Sequence, residues 1–428
     1  MSNLDTMEPA SLGDLAFESK VRASDVPETG LRVYGVDRTD GLTPDAKYTS
    51  KELSRYKVLR PGMFAYNPMR LNIGSIAACT DKHAVGLVSP DYVVFGCKPD
   101  ALDPAFLGYA IKGPEWRQWT TAAGVGSVRV RIYFRELAKM PMTVPPLAEQ
   151  KAIAALLGAL DDKIALNRRM NATLEAMARA LFQSWFVDFD PVRAKLDGRA
   201  PAALDPATAA LFPEHLEDSP LGHIPKGWTA QRLPDAVEVN PRRTLKGGTI
   251  APYLDMKNLP TQGHSAEEVI DREFSSGTKF QNGDTLLARI TPCLENGKTG
   301  YVDFLEDGQV GWGSTEYIIL SPKPPLPPQF GYLLARSDAL RTHAIQNMTG
   351  TSGRQRVPSE CFNTFWLAVP TPEIARRFDE LTAPLMAKIK ANSAESRTLA
   401  TLRDTLLPKL LSGELSVAEL KNLTQDHD

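Results

Sequence analysis

Two short basic segments carry the side chains best suited to bind an anionic ligand. Val128 to Arg131 reads VRVR, and Gly353 to Arg356 reads GRQR. Alternation in an extended segment puts every second side chain on one face, so each segment presents two guanidinium groups together. Arginine donors pair with phosphate oxygens or with guanine in the major groove of DNA. We therefore predict that both segments bind nucleic acid.

Hydroxyl side chains precede both basic segments and can donate to phosphate oxygens. A single arginine is more often solvated surface, but a basic segment repeated at equivalent places favours a binding role. Three further basic residues lie in comparable loops. The predicted DNA-binding residues are Ser127, Arg129, Arg131, Thr351, Ser352, Arg354, Arg356, Arg70, Arg289 and Lys298.

The overall charge gives no support of its own to nucleic-acid binding. The chain has 49 Lys and Arg against 51 Asp and Glu, a formal net charge of -2. Strong DNA binders often have a basic excess. Binding must therefore depend on local clusters of basic residues.

Motifs for catalysis are absent from the sequence. The NPMR segment at Asn67 to Arg70 lacks the second proline and the aromatic residue of the amino-methyltransferase loop. The GKT segment at Gly297 to Thr299 has Pro292 where a phosphate-binding loop needs its leading glycine. No H-E-x-x-H or G-x-S-x-G occurs, and the six histidines have no metal-ligand spacing. We predict a binding protein without catalytic residues, cofactor or metal of its own.

The four cysteines form no C-x-x-C pair, which argues against disulfides and structural zinc and fits a reducing compartment. No apolar run approaches the roughly 20 residues that span a bilayer. The first residues show no signal peptide. We expect a cytoplasmic protein.

An uninterrupted helical pattern runs from Leu147 to Phe186, with no proline and one glycine, Gly158. Its apolar residues follow steps of four and three, the heptad pattern of a helix that packs along its length against another. About 40 residues make a helix of about 60 Å. We call the stripe of residues along which two such helices pack the seam. A second long helix, described next, is the predicted partner. The predicted seam residues of the two helices are Leu157, Leu160, Ile164, Asn167, Leu174, Leu181, Leu385, Ile389, Asn392, Leu399 and Leu406.

The partner helix is an internal repeat of the first. The two helical segments align without a gap at an offset of 225 residues, so that Leu160 corresponds to Leu385 and Asn167 to Asn392. The same offset relates SPDYVVF from Ser89 to STEYIIL from Ser314. Further upstream the offset is 221, aligned on Gly62 and Gly283, which indicates a four-residue insertion in the second copy. The chain is thus predicted to be a tandem duplication of a globular domain followed by a long helix.

The predicted fold is α+β, with two strand-rich domains in a pseudo-twofold arrangement, joined by two long antiparallel helices that form a coiled-coil spacer. Each globular half is expected to contain one short helix, and Pro384 is expected to kink the second long helix or mark its start. Residues 193–226 are rich in proline and alanine and are expected to form an extended linker with one helical turn. The predicted boundaries are residues 1–143 for the first recognition domain, 144–192 for the central helix, 193–226 for the linker, 227–369 for the second domain, and 370–428 for the C-terminal helix and tail.

Several segments resemble the specificity subunit of type I restriction-modification systems. They are PPLAEQKAIAALLGALDDKIALNRR, LFQSWFVDFDPVRAKLDG, LGHIPKGW and LLPKLLSGEL. The resemblance covers nearly the whole chain and is specific in the helices and their flanks. It implies two target-recognition domains separated by two antiparallel helices, each domain reading one half of a bipartite site in double-stranded DNA.

The same resemblance implies partner subunits that carry the catalysis. Two methyltransferase subunits would use S-adenosylmethionine to methylate adenine, and restriction subunits would use ATP and Mg²⁺ to translocate and cleave DNA. Apolar positions outside the seam, such as Leu156, Met170 and Met177, are expected to face a partner subunit. Because the basic segment occurs in both halves while the half-sites are expected to differ, we favour phosphate contacts for its arginines.

Two other functions fit parts of the sequence. A stand-alone modification enzyme with fused recognition domains would need the methyltransferase motifs that are missing. A coiled-coil scaffold without DNA specificity would be favoured by lost DNA binding in the presence of partner subunits.

Overall fold

The structure is a computed structural model that describes residues 7–38, 41–46, 48–123, 131–351 and 353–425. The chain forms two compact units. The first unit comprises residues 1–164 and 398–428, and the second unit comprises residues 165–397. There are two long helices, α5 (Leu147–Phe186) and α11 (Pro372–Ser412). One part of each helix belongs to the first unit and the other part to the second unit.

Within its described residues, the first unit contains ten strands and several short helices besides its parts of α5 and α11. The strands are β1 (Glu8–Ser11), β2 (Ala16–Ser19), β3 (Arg32–Asp37), β4 (Gly41–Pro44), β5 (Lys57–Leu59), β6 (Met63–Tyr66), β7 (Ile76–Ala78), β8 (Gly86–Val88), β9 (Val93–Cys97) and β10 (Pro141–Val144). The helices are α1 (Leu12–Leu15), α2 (Pro104–Ala110), α3 (Pro114–Ala122), α4 (Phe134–Leu137) and α12 (Val417–Gln425).

The second unit repeats this order and adds a segment at its start. The added elements are α6 (Asp190–Leu196), α7 (Pro206–Leu211), β11 (Leu216–Ser219) and β12 (Gly222–Pro225). The repeated strands are β13 (Thr229–Arg232), β14 (Val237–Val239), β15 (Ile250–Leu254), β16 (Ile270–Glu273), β17 (Thr278–Phe280), β18 (Thr285–Ala288), β19 (Thr299–Tyr301), β20 (Gly311–Gly313), β21 (Tyr317–Pro322) and β22 (Trp366–Val369). The repeated helices are α8 (Leu233–Ala236), α9 (Pro328–Ala335) and α10 (Asp338–Gln346).

The sheets of the two units have the same topology. One four-stranded sheet has the order β2-β9-β6-β7 in the first unit and β14-β21-β18-β19 in the second. The other has the order β4-β3-β8-β5 and β16-β15-β20-β17, and each copy contains one parallel pair, β3 with β8 and β15 with β20. The ribbon of β1 and β10 likewise corresponds to that of β13 and β22. The predicted duplication and the predicted α+β class are confirmed.

The strand register locates the four extra residues of the second copy. Phe64 pairs with Phe95 as Thr285 pairs with Leu320, which gives offsets of 221 and 225. On the other side of the same central strand, Phe64 pairs with Ala78 and Thr285 with Tyr301, so the outer strand has an offset of 223. The predicted single insertion is therefore wrong: two residues are added in the loop after β18 and two more between β19 and β20.

The glycines that align the copies support the same register. Gly62 and Gly283 have φ of 84° and 90°, a conformation that a side chain disfavours. Each donates its backbone N–H across the sheet, Gly62 to Cys79 at 2.7 Å and Gly283 to Val302 at 2.8 Å. A turn of this geometry therefore begins β6 and β18 alike.

Heptad spacing explains which face of each long helix is buried. In the first unit Ile153, Leu157 and Leu410 join one apolar core. In the second unit Ala178, Trp185 and Ile389 join another. Each predicted seam residue is buried or half-buried: Leu157, Leu160, Ile164, Asn167, Leu174, Leu181, Leu385, Ile389, Asn392, Leu399 and Leu406. At about 25 cal/mol per Å² of apolar area, this stripe supplies the stability that a 40-residue helix cannot obtain from propensity alone.

Three predictions about local structure are wrong, and one of the two alternatives in a fourth is excluded. Helix α11 begins at Pro372 and continues through Pro384, which is exposed, so this proline does not mark a helix start, and the kink stays a prediction. Each half has two consecutive short helices in place of one, because Pro114 and the Ser337 cap each begin a new helix. Leu156 is half-buried against the core of the first unit and does not face outward. Met177, by contrast, is half exposed on α5.

The third error concerns the predicted linker, residues 193–226. Apart from the end of α6 it contains helix α7 and the hairpin of β11 and β12. Phe212 packs edge-on against Trp185 of α5, with ring centroids 4.9 Å apart, and Ile224 is buried in the same core. Asp205 caps α7 and accepts a hydrogen bond from Arg377 of α11 at 3.1 Å. The segment is therefore part of the second unit.

Candidate nucleic-acid interface

Three loop segments of the second unit meet around the predicted arginines. They follow β18 (289–298), precede β21 (314–316) and lie between α10 and β22 (349–358). Arg289 N donates to the carbonyl oxygen of Glu316 at 3.0 Å, and Val357 N donates to that of Arg289 at 2.8 Å. Thr349 and Arg356 exchange two backbone hydrogen bonds, of 2.9 and 2.8 Å. These bonds fix Arg289, Glu316 and Arg356 beside one another.

The guanidinium of Arg356 forms a bidentate ion pair, here called the fork, with the carboxylate of Glu316. Nε donates to Oε1 at 2.8 Å and to Oε2 at 3.0 Å, and Nη2 donates to Oε1 at 2.7 Å. These hydrogen bonds raise the pKa of Arg356. The side chains are 45% and 23% exposed, so the pair lies at the surface with the arginine outermost. Glu316 was not among the predicted site residues.

The neighbouring predicted residues differ in what they contact. Thr351 and Arg354 are exposed in one turn, where Arg354 N donates to the carbonyl oxygen of Thr351 at 3.0 Å. Arg289 is half-buried, and in the part of the chain that the structure describes its Nε has no hydrogen-bond partner. Lys298 donates from Nζ to the carbonyl oxygens of Met256 and Lys257, at 2.6 and 3.0 Å. Its ammonium thus holds a neighbouring turn, while Arg354 remains open to a ligand.

One arginine outside the prediction holds the loops under this surface. Arg336, at the end of α9, donates to the carbonyl oxygens of Thr261, Gly297 and Thr299, at distances of 2.7 to 2.8 Å. Its Nε donates to the hydroxyl of Tyr332 at 3.1 Å. With so many donors engaged, we interpret Arg336 as a support for the loop that carries Arg289 and Lys298.

The first unit builds its loops in the same way. Ile132 N donates to the carbonyl oxygen of Pro68 at 2.9 Å, which is the counterpart of the bond from Val357 to Arg289. The segment of Arg131 therefore adjoins the loop of Arg70, and both arginines are exposed.

The acidic turn is repeated as well. Asp91 N donates to Ser89 Oγ at 3.3 Å, as Glu316 N donates to Ser314 Oγ at 3.1 Å. Asp91 and Arg131 thus correspond to Glu316 and Arg356, with an acid one methylene shorter.

Three predicted residues lie outside the described part of the chain: Ser127, Arg129 and Ser352.

Exposed apolar side chains lie close in sequence to the arginines of the first unit. Met69, Ile73 and Tyr133 are 50%, 54% and 47% exposed. Met69 directly precedes Arg70, Ile73 follows it by three residues, and Tyr133 follows Arg131 by two. In DNA recognition such side chains contact the thymine methyl group in the major groove. The surface therefore combines arginine donors with apolar contacts.

Other chemistry has little support in the described residues. Burial raises the pKa of Cys79 and Cys361 to about 11 and that of Cys97 to about 12, so these thiols stay protonated at neutral pH. Within the described ranges no three His, Cys, Asp or Glu side chains cluster as a metal site requires. Nor does any helix of those ranges have the length and apolar character to cross a membrane.

A polar layer interrupts the apolar seam in the second unit. Asn167 of α5 donates from Nδ2 to Glu395 Oε2 at 2.8 Å, and Asn171 donates to Ser393 Oγ at 3.1 Å. As the residue number rises along α5 from Asn167 to Asn171, the number of the contacted residue on α11 falls, so the helices are antiparallel here. In the first unit Arg403 of α11 donates to Asp161 of α5 at 2.6 Å.

Comparison with known proteins agrees with these features. The family model of the type I restriction modification DNA specificity domain matches residues 72–176. The chain is 24% identical over 407 residues to the type I restriction enzyme HindI specificity subunit of Haemophilus influenzae, an alignment that covers 84% of this chain and 88% of the relative. It is 25% identical to the MjaIX specificity subunit of Methanocaldococcus jannaschii, with 75% and 71% covered.

A solved structure has the same fold. The crystal structure of the type I restriction-modification S subunit from M. genitalium matches with a TM-score of 0.54 and 15% identity, over 94% of this chain and 96% of that one. Its similarity supports the arrangement of two strand-rich units and two long helices.

Proposed function

The chain belongs to the DNA specificity subunits of type I restriction-modification systems, and on this premise we propose that it recognises a bipartite target, with one half-site read by each unit. The observation that carries the proposal is the repeated loop pair around Arg131 and Arg356, joined by equivalent backbone bonds from Ile132 and Val357. Two copies of one surface suit two separate half-sites. Specificity subunits are non-catalytic in type I systems.

Catalysis is proposed to come from partner subunits. Two methyltransferase subunits would supply S-adenosylmethionine-dependent methylation, and restriction subunits would supply ATP- and Mg²⁺-dependent translocation and cleavage. In this chain Met177 and Leu166 of α5 are 50% and 43% exposed, and Leu402 of α11 is 44% exposed. Apolar side chains on helix surfaces are suited to helix-in-groove contacts, and we propose that they face a methyltransferase subunit.

The long helices are proposed to set the length of the unread sequence between the half-sites. Each has about 40 residues and therefore a length of about 60 Å. One turn of duplex DNA is about 34 Å long, so helices of this length suit half-sites one or two turns apart.

The test is a domain exchange in the assembled methyltransferase. Residues 1–143 are replaced by the corresponding region of a relative of different specificity, and the methylated motif is read from total DNA of cells that express each complex. The proposal expects one half-site to change and the other to stay. A change in both half-sites, or an unchanged motif, would show that the units are not independent readers. Loss of DNA binding with intact assembly would favour the scaffold alternative.

A further inference from the structure

We propose that Arg356, oriented by Glu316, reads a guanine in the half-site of the second unit. This inference rests on the proposed function and specifies the ligand of one side chain. It departs from the expectation that all the repeated arginines contact phosphate.

The donors that remain free on Arg356 have the geometry of a guanine reader. A guanidinium has five N–H groups. The fork to Glu316 uses Nε and one hydrogen of Nη2. Among the described residues nothing accepts a hydrogen bond from Nη1 or from the second hydrogen of Nη2, and these donors lie on the edge that faces away from the carboxylate. Two donors side by side on this edge match the O6 and N7 acceptors of guanine in the major groove.

Charge favours a base over a phosphate at this position. The carboxylate of Glu316 neutralises Arg356, and a phosphate close to the pair would also lie close to that carboxylate. Guanine O6 and N7 are neutral acceptors that the carboxylate does not repel. Arg354 stands two residues away, exposed, in the same loop. A phosphate contact is therefore better served by Arg354 than by Arg356.

Both residues of the pair are fixed to the same framework. Arg356 is bound by backbone hydrogen bonds to Thr349, and Glu316 by bonds to Arg289 and Ser314. An unpaired arginine side chain on a protein surface loses rotamer freedom when it binds a base, and this loss lowers the affinity. Because Glu316 restricts the guanidinium before DNA arrives, this cost is reduced. Glu316 is thus a positioning residue and Arg356 the residue that touches DNA.

The first test uses the wild-type assembled methyltransferase. Once its motif is known, duplexes are made with 7-deazaguanine, which lacks N7, at each guanine of the half-site read by the second unit. One position is expected to lose about twofold to tenfold in affinity, the effect of one net hydrogen bond. Absence of any sensitive guanine, or of any guanine in that half-site, would overturn the proposal.

The second test uses variants in the same complex. Arg356→Ala is expected to lower discrimination at that one base pair by about tenfold to a hundredfold. It should also abolish the effect of 7-deazaguanine there, while the slope of log affinity against log salt stays unchanged. Equal weakening on all sequences with a slope reduced by about 0.9 would assign Arg356 to a phosphate and overturn the proposal.

Glu316→Gln separates positioning from a merely structural role. Without the carboxylate Arg356 keeps its full charge, so affinity for non-specific DNA should rise while discrimination at the guanine falls. The substituted amide has a shape similar to that of the carboxylate, which limits effects on folding. A variant with unchanged discrimination would overturn the role of Glu316.

Failure of the proposed function has a different signature. If the wild-type complex bound all duplexes equally, or if the domain exchange left both half-sites unchanged, the bipartite reading itself would be wrong. If the wild type remained specific and no guanine of the second half-site depended on Arg356, only the present inference would fail.

Discussion

Asn167 and Asn392, which occupy equivalent positions 225 residues apart, lie against each other across the two long helices. Asn167 Nδ2 lies 3.4 Å from the carbonyl oxygen of Asn392, and Asn392 Nδ2 donates to Asn171 Oδ1 at 2.9 Å. Both residues are buried, with exposures of 0% and 2%. A buried asparagine in a helix seam lowers stability relative to leucine but favours one register, because other registers leave its amide without partners. We infer that this layer aligns the helices of the second unit.

Substitution of Asn392 should therefore destabilise the fold. Asn392→Ala removes the donor to Asn171 and leaves a half-buried acceptor without it, at an expected cost of about 1–3 kcal/mol in the free energy of unfolding. Urea unfolding followed by circular dichroism measures the change. Lys388→Ala, at an exposed position on the same helix, is the matched control and should alter stability by about 0.5 kcal/mol or less. Equal effects of the two substitutions would contradict the role of the polar layer.

A buried tyrosine predicts how stability changes at high pH. Tyr332 donates to Glu175 Oε1 at 2.8 Å. Burial raises the pKa of Tyr332 well above its ordinary value of 10.0. In the unfolded chain the phenol ionises near pH 10, so the unfolded state gains stability above that pH while the folded state does not. The contribution is thus complete below pH 10 and is lost as pH rises towards the folded pKa.

Replacement by phenylalanine isolates this effect. Tyr332→Phe should cost about 1.5–3 kcal/mol at neutral pH, because Glu175 loses a hydrogen bond in a buried site. The difference in unfolding free energy between wild type and variant should shrink above pH 10. Tyr133→Phe, at a position 47% exposed, is the control. A difference that stayed constant across alkaline pH would show that ionisation of Tyr332 is not linked to folding.

Repetition and periodicity are what made much of this fold predictable. The heptad seam gave the buried face of α5 and α11 because a helix places every third and fourth residue on one side. The 225-residue offset gave the equivalence of the two units, since it appeared in strands, loops and helix alike. These signals are local or recur along the chain, so a single sequence reveals them.

The structure of the 193–226 segment was predicted wrongly because its composition misleads. Proline and alanine are frequent in it and suggest an extended linker, but Phe212 and Ile224 are buried beside Trp185. Burial of a few large apolar residues outweighs the weak propensity of the remainder. No period marks such residues, so their burial follows only from the tertiary fold.

Glu316 was missed although a signal for it existed. Its partner Arg356 lies 40 residues away, and no spacing rule connects two loops at that distance. Yet both copies place an acid two residues after a serine, at Asp91 and Glu316, in the same segments that revealed the repeat. A repeated acid next to a strand, considered together with a repeated arginine, would have suggested an ion pair in each unit.

The spacing of the half-sites offers a test of the long helices. Insertion of seven residues into both α5 and α11, at facing positions of the seam, preserves the heptad pattern. It lengthens each helix by about 10 Å, which equals about three base pairs of DNA. The methylated motif should keep both half-sites and gain about three unread base pairs. A folded variant that methylates at the original spacing would refute the proposed role. Insertion into one helix alone is the control and should disrupt the seam.

Salt dependence distinguishes the arginines that contact phosphate from those that do not. Arg354 is exposed in the turn after Thr351. Arg131, the counterpart of Arg356, is also exposed, and within the described residues it makes no ion pair with the shorter Asp91. We expect both to contact phosphate, so Arg354→Ala and Arg131→Ala should each weaken the assembled complex on specific and non-specific DNA alike. Loss of one phosphate contact reduces the slope of log affinity against log salt by about 0.9.

Salt titrations of the assembled methyltransferase measure this directly. Arg376→Ala removes a charge that is also exposed, on α11, where the side chain is 72% exposed and pairs with Glu380. Because the net charge of this control changes by the same amount, any general electrostatic effect is subtracted. A slope that falls in all three variants would reflect overall charge, whereas a slope that falls only in the loop variants identifies local phosphate contacts. Unchanged slopes for Arg354→Ala and Arg131→Ala would show that these residues are solvated surface.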